Sequence, residues 1–283
     1  MEKKTAVFLG MIGVLLFSAV FVWKEVARSS SSEVIFFDVG QGDSAFISTS
    51  KGVQVLIDGG PDAKVLEKLG KALPFWDKSI DLVVLSHPAQ DHVGGLIGVL
   101  EKYHVRHIVW NGIQKDTAVY GSWIAAVEKE QAQGAEVHIA HAPQRILLHE
   151  HGCMQYLDIV YPQESLEGQA YEDDNDTSLV VRFESCGKSF LFTGDLTSWG
   201  EKQILSYEGF VDADVLKAGH HGSKTSSSAE FVNKVSPEIA VISSGKNNSY
   251  GHPHEQTLAT FQRFGINVLR TDLQGDITLY LNQ

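Results

Sequence analysis

Residues 86–95 read Ser86-His87-Pro88-Ala89-Gln90-Asp91-His92-Val93-Gly94-Gly95, directly after the apolar run Leu82-Val83-Val84-Leu85. A short apolar run closed by a polar, glycine-bearing segment reads as a buried strand running out into a loop. That loop would deliver His87, Asp91 and His92 together. Imidazole and carboxylate are ligand types that zinc and manganese accept, and a catalytic ion needs only a few of them plus an open position for water. Taken alone the cluster is weak, because 12 histidines in 283 residues will sometimes fall beside an aspartate by chance.

Three later stretches repeat the arrangement. Phe190-Leu191-Phe192-Thr193-Gly194-Asp195 is an apolar run ending in a carboxylate, and Asp214-Val215-Leu216-Lys217-Ala218-Gly219-His220-His221-Gly222-Ser223 ends in paired histidines. Ile239-Ala240-Val241-Ile242-Ser243-Ser244-Gly245 leads into a loop that holds Tyr250-Gly251-His252-Pro253-His254. Adjacent strands of one sheet bring such ends side by side, and ligands collect on that rim in many open α/β folds. Four strand ends carrying His or Asp therefore favour a metal site.

The chain is 43% hydrophobic and 20% charged, which suits a packed core, and its length suits one large domain or two small ones. The formal charge is −12. Such a surface has no general attraction for phosphate backbones, so any nucleic-acid contact has to be local. Cys153 and Cys186 are the only thiols. They allow either a disulfide or two reduced core residues, and without a CxxC spacing they make poor metal ligands.

Thr5 to Trp23 contains no ionisable side chain, between Lys3-Lys4 and Lys24. About twenty apolar residues cross a bilayer as a helix, so residues 5–23 read as a transmembrane anchor, after a short cytoplasmic stretch at 1–4 and before a Ser-rich tether at 24–32. A cleaved signal peptide is the rival, in which case the chain is secreted rather than a single-pass membrane protein with its bulk extracytoplasmic.

Residues 33–283 read as one domain. Strands are expected at Glu33 to Phe37, Ser44 to Ser48, Val53 to Ile57, His107 to Trp110, Met154 to Tyr161, Ser178 to Glu184 and Ser189 to Phe192. Helices are expected at Ala63 to Leu73, Val93 to Tyr103 and Gly121 to Gln133, followed by three helix–strand units and a final strand over Asp276 to Leu281. Two β-rich halves, each followed by helices, imply two packed sheets with helices outside.

The ordered motifs Asp38-Val39-Gly40-Gln41-Gly42-Asp43, Leu56-Ile57-Asp58-Gly59-Gly60, His87…Asp91-His92-Val93-Gly94-Gly95, Asn175-Asp176-Thr177-Ser178-Leu179, Thr193-Gly194-Asp195, Gly219-His220-His221-Gly222-Ser223 and Tyr250-Gly251-His252-Pro253 span nearly all of this domain. Their series resembles the metallo-β-lactamase fold and, more narrowly, the extracytoplasmic hydrolase domain of ComEC-type DNA-uptake proteins. The resemblance implies an α+β fold, a four-layer αββα sandwich here preceded by the one N-terminal transmembrane helix. It also implies a divalent metal, zinc or manganese, held by Asp91, His92 and His221 with Asp195 shared. A second ion would lie between His87 and Asp195. His220 is then free to touch substrate or protonate a leaving group, or else simply caps its loop. Asp91 and His252 join it as candidate catalytic groups. Asp38, Asp43 and Asp58 are candidates to orient ligand imidazoles, although turn carboxylates bonded to backbone amides look the same in sequence. Asn175, Ser223, Tyr250 and His252 are candidates to line the substrate site. Asn175 and Asp176 are also candidates to complete the His87 side, or else to cap a hairpin.

One position departs from the family. Its usual His-x-His-x-Asp-His has a ligand where this chain has Ala89, and the ComEC-like pattern has an aspartate there. The His87 side thus loses a ligand, so one ion is expected to be tight and the second weak or absent. The implied activity is hydrolysis of a phosphodiester by metal-bound hydroxide, with DNA or a cell-wall polymer as substrate, because a bound ion lowers the pKa of water from about 16 to about 7. The rivals are a phosphocholine-esterase-like enzyme and a membrane-tethered module that lost catalysis at Ala89. Beyond substrate and membrane the residues point to no protein partner.

Overall fold

The computed structural model describes residues 32–150, 153–207 and 209–281. The apolar segment 5–23 and nearly all of the tether lie outside the described residues. Among the described residues no helix is long and apolar enough to cross a membrane.

Among the described residues fourteen strands form two seven-stranded sheets. The first contains β1 (Ser32–Phe36), β2 (Ala45–Ser48), β3 (Gln54–Ile57), β4 (Ser79–Val84), β5 (His104–Trp110), β6 (Glu136–Ile139) and β14 (Ile277–Leu281), in the order β14-β1-β2-β3-β4-β5-β6. The second contains β7 (Gln144–His149), β8 (Gln155–Tyr161), β9 (Val180–Ser185), β10 (Lys188–Phe192), β11 (Val215–Lys217), β12 (Ile239–Ile242) and β13 (Asn267–Arg270), in the order β13-β12-β11-β10-β9-β8-β7. Helices α1 (Lys64–Ala72), α2 (Gln90–Lys102) and α3 (Ala118–Ala132) follow strands of the first sheet. Helices α4 (Ser198–Ser206), α5 (Ala229–Val235) and α6 (Glu255–Arg263) follow strands of the second, and a short α7 (Thr271–Gln274) precedes β14.

Alternation along the strands divides the core into three layers. Val55, Ile57, Leu82, Val84, Phe190, Phe192, Val215 and Val241 point between the sheets. Their neighbours Leu56, Val83 and Ile108 face α1–α3, whereas Leu191, Leu216, Ala240 and Ile242 face α4–α6. Strands buried on both faces read as unbroken apolar runs, as these do in the sequence. The result is helix–sheet–sheet–helix. Phe36 of the first sheet stacks on Phe192 of the second at 5.7 Å, joining the sheets near the ends of β1 and β10.

Strands β3, β4 and β5 run parallel, as do β10, β11, β12 and β13. Their carboxyl ends therefore lie on common rims, where Asp58, His87, Asp195 and the histidine doublet emerge.

Several boundaries correct the sequence reading. Helix α2 starts at Gln90, so Asp91 and His92 sit in its first turn rather than in a loop with His87. An acidic residue there complements the helix dipole. Strands β6 and β7 were not foreseen. Cys153 and Cys186 are joined in a disulfide, with Cα atoms 5.1 Å apart.

Candidate metal centre

Two glycine contacts press α2 against the turn after β3. A Cβ on Gly95 would lie 2.0 Å from the carbonyl oxygen of Gly59, and one on Gly94 would lie 2.2 Å from that of Pro61. The Gly59 amide donates to the carbonyl of His92 at 2.7 Å. This close approach brings His92 Nδ1 to 2.9 Å from Asp58 Oδ2. Asp58 also accepts from the amide and hydroxyl of Ser86, each at 2.8 Å. With Nδ1 donating, the neutral form of His92 offers Nε2 as a lone pair.

The second sheet presents its doublet through strain. His220 (φ 47°, ψ 51°) and His221 (φ 54°, ψ 26°) both occupy the left-handed region, at a cost on the order of 1–3 kcal/mol each. The consecutive twist sends the rings apart: the side chain of His221 is 1% exposed and that of His220 26%. His221 Nδ1 donates to the Ser243 carbonyl at 3.0 Å and stands 3.2 Å from Asp43 Oδ1, again leaving Nε2 to face inward. Asp43 is held in turn by an ion pair with the buried Lys217.

Four donors converge. His92 Nε2 is 3.2 Å from Asp195 Oδ1, and His221 Nε2 is 3.4 Å from Asp195 Oδ2 and 3.2 Å from Asp91 Oδ2. One donor atom from each of Asp91, His92, Asp195 and His221 lies within 4.8 Å of the others. Among the described residues His92 Nε2 and Asp195 Oδ1 are buried with no hydrogen-bond partner. Two imidazoles and two carboxylates aimed at a common point, with such orphaned atoms, fit a divalent cation.

The electrostatics agree. Burial opposes charge on His92, but Asp195 and Asp58 outweigh it and raise its pKa well above the usual imidazole range. For His221 burial is likewise overcome by Asp195 and Asp43. Burial would raise Asp195, yet His221 and His92 hold it well below the carboxylate range. Asp91 is lowered against its own burial by the hydrogen bond from His221 and the charge of His92. The metal-free cluster thus keeps protons on its imidazoles to balance its carboxylates.

The His87 side is poorer. His87 is fully buried, with Nδ1 3.1 Å from Ser86 Oγ, and its Nε2 has no partner among the described residues. The hydroxyl proton of Ser86 is committed to Asp58, so Nδ1 of His87 is the donor in that contact. Burial, then neighbouring His92, push its pKa down, so it is a neutral donor with a bare lone pair. Ala89 occupies the N-cap of α2 and supplies no side-chain group. Asp174, which the sequence reading passed over, exerts an upward pull on His87 and has a buried, unpartnered Oδ2, while its Oδ1 pairs with Lys115 at 3.2 Å. Asp176 is turned away, its Oδ1 accepting from the amide and hydroxyl of Thr197 at 3.0 and 2.6 Å.

Other expected residues take varied places. Asp38 does not reach a ligand imidazole: its Oδ1 binds Lys64 at 3.2 Å and caps the Gly40 amide at 3.1 Å, the turn role that short carboxylates favour. Ser223 is buried beneath the doublet, with its hydroxyl 3.0 Å from that of Thr225. Asn175 sits in a 3-10 turn with Thr177, which the buried Asn111 ties to the Ser86 carbonyl. Asn111 has no site motif beside it in sequence, and Lys217, three residues before the histidine doublet, reads there as part of the strand and not as a site group.

The mouth is aromatic. His220 and His252 rings are 5.5 Å apart, and Tyr250, 65% exposed, stacks on His252 at 5.7 Å. Gln41 donates through Nε2 to His252 Nδ1 at 3.4 Å, its amide oriented by the Gly245 N–H on Oε1, so the neutral ring carries its proton on Nε2. Burial and the nearby His221 and His220 push the pKa of His252 down to about 4, and burial lowers that of His220.

The profile described as "Metallo-beta-lactamase superfamily" matches residues 37–246, which contain all four converging donors. The chain belongs to the metallo-beta-lactamase superfamily. Within it, the chain is 33% identical over 267 residues to ComE operon protein 3 of Bacillus subtilis (strain 168), covering 88% of this chain and 33% of that one. It is 32% identical over 263 residues to competence protein ComA of Neisseria gonorrhoeae, covering 92% and 34%. The chain thus spans about a third of the length of these curated relatives. Among solved structures, Igni18, a metallo hydrolase from Ignicoccus hospitalis, shares the fold with a TM-score of 0.55 at 17% identity, covering 88% of this chain and 100% of that chain. The superfamily's metal-dependent hydrolase fold implies a divalent ion, and the Asp91–His92–Asp195–His221 group is its candidate seat.

Proposed function

We propose that the chain is a metal-dependent phosphodiesterase whose substrate class is DNA, acting outside the membrane. The reading rests chiefly on the convergence of Asp91, His92, Asp195 and His221 beneath a mouth of neutral imidazoles. The competence-protein relatives supply the substrate class. The Cys153–Cys186 disulfide suits an oxidising compartment, and the apolar 5–23 segment would supply the anchor.

A divalent ion held by Asp91, His92, Asp195 and His221, zinc or manganese, would activate water and stabilise charge on phosphoryl oxygens. The chain's own groups do the rest. His92 and His221 are fixed through Nδ1 by Asp58, Asp43 and the Ser243 carbonyl, which sets their Nε2 lone pairs. His252 offers an Nε2–H at the mouth. A neutral His220 is a hydrogen-bond donor to the phosphoryl or leaving oxygen rather than a strong acid. Tyr250 gives a base a ring to stack on. With a formal charge of −12 the chain would hold DNA at the site and not along a basic track.

The test is chelation and metal add-back with plasmid DNA, a chromogenic bis-phosphodiester and a choline phosphodiester. Metal-restored cleavage of DNA, lost in Asp195→Asn, is expected. Turnover of the choline diester alone would transfer the proposal to a cell-wall substrate, and no metal-dependent turnover on any of them would contradict it.

A further inference from the structure

A second group of metal-binding side chains lies on the first sheet, away from the rim. In the parallel β5–β6 ladder His107 pairs with Glu136, and Val109 pairs with His138. Alternation therefore places His107, Glu136 and His138 on one face, while Ile108 and Val137 turn to the helix-covered face. Glu136 opens β6 and His107 is central in β5, whereas the catalytic candidates lie beyond the carboxyl ends of β4, β10 and β11.

The three donors already form a triangle. His107 Nδ1 is 3.4 Å from His138 Nε2 and 3.8 Å from Glu136 Oε2, and His138 Nε2 is 3.7 Å from the same oxygen. Tetrahedral zinc with bonds of about 2.1 Å needs donors about 3.4 Å apart, so a small inward movement of flexible side chains closes the site. The carboxylate stands beyond hydrogen-bond reach of either ring, so a satisfied hydrogen-bond network does not explain its position. Two imidazoles with one carboxylate suit zinc-like ions over calcium or magnesium. The side chains are 45%, 69% and 48% exposed, which leaves the remaining coordination position to solvent. His107 and His138 border a groove of about 880 Å³, walled by Leu82 and Val109 on one side and by Ile146 and Leu148 of β7 on the other.

We propose that His107, Glu136 and His138 form a second, independent site for zinc that clips the edge strand β6 to β5. The parallel ladder fixes the backbone spacing, so only side-chain rotamers need to adjust. Neither the hydrolytic reading nor the His87 side enters this proposal.

The probe is zinc alone, titrated by equilibrium dialysis into the metal-stripped full chain. Wild type is expected to bind one equivalent more than His107→Ala/His138→Ala, and Asp195→Ala is expected to keep that equivalent. Glu136→Gln, a near-isosteric change at an exposed side chain, should weaken it at least tenfold without altering the melting curve in chelator. It therefore serves even if the double variant folds poorly. Equal stoichiometry and affinity in wild type and Glu136→Gln, or loss of the extra equivalent in Asp195→Ala, would overturn the proposal.

Discussion

The ammonium group of Lys217 is buried in an ion pair with the carboxylate of Asp43, whose other oxygen lies 3.2 Å from His221 Nδ1. A lysine on an interior strand thereby helps to set a metal-facing imidazole without touching the donor cluster itself. Lys217 also donates to the Gly194 carbonyl at 3.1 Å, one residue before Asp195.

Lys217→Met should leave Asp43 as an uncompensated buried charge and cost about 3–5 kcal/mol in urea unfolding. Zinc affinity should fall by about 10–100-fold. Burial opposes the charge on Asp43, and Lys217 followed by His221 lowers its pKa below the usual carboxylate value. A depressed carboxylate pKa contributes stability above the ordinary range and loses it as pH falls through the depressed value. The variant should therefore unfold at a higher pH on acidification than the wild type, and coincident acid transitions would refute the pairing.

Asp58 and Asp38 look alike in sequence but should behave differently. Asp58→Ala removes the acceptor of His92 Nδ1 and should weaken zinc binding by about 10–100-fold in calorimetry. Asp38→Ala breaks a half-buried ion pair with Lys64 and should change stability by no more than about 1 kcal/mol, with affinity unaltered.

Metal loading should release protons. In the metal-free protein the carboxylates raise His92 and His221 well above the ordinary imidazole range, so near neutral pH both rings carry a proton that an incoming cation has to displace. Apparent affinity should rise with pH until those rings are neutral without metal. Calorimetry at pH 7 in buffers of different ionisation enthalpy should show heats that scale with the buffer, and heats independent of it would count against this protonation state.

Ala89→Asp should raise occupancy of a second ion beside His87, because it returns a carboxylate at the N-cap of α2 while His87 Nε2 has no partner. Capping alone should add about 1 kcal/mol of stability. Elemental analysis after manganese loading separates the two effects: added metal together with added stability supports a vacant ligand position, and stability alone refutes it.

Much of the fold was legible because its strands are buried on both faces and read as apolar runs, with glycine-rich ends carrying His87, Asp195 and His221 to one rim. Strands β6 and β7 were not legible. Glu136-Val137-His138-Ile139 is a four-residue edge strand, and Gln144 to His149 mixes charged and apolar groups in a partly exposed one, so neither shows a continuous apolar signal. The start of α2 was hidden because Gln90, Asp91 and His92 are polar, although the acid in the first turn was a usable signal. Asp38 and Asp43 flank the same glycine loop, and only the path of the chain decides which carboxylate turns inward. Lys217 and Asp174 sit beside quoted motifs, but their roles, like the Asn111 tie, depend on contacts between distant segments that sequence neighbours do not specify.

The most direct measurement is anomalous diffraction from crystals of the full chain loaded with zinc. A peak is expected about 2.0–2.2 Å from His92 Nε2, His221 Nε2 and carboxylate oxygens of Asp91 and Asp195. Full zinc loading with no peak among these four side chains would contradict it.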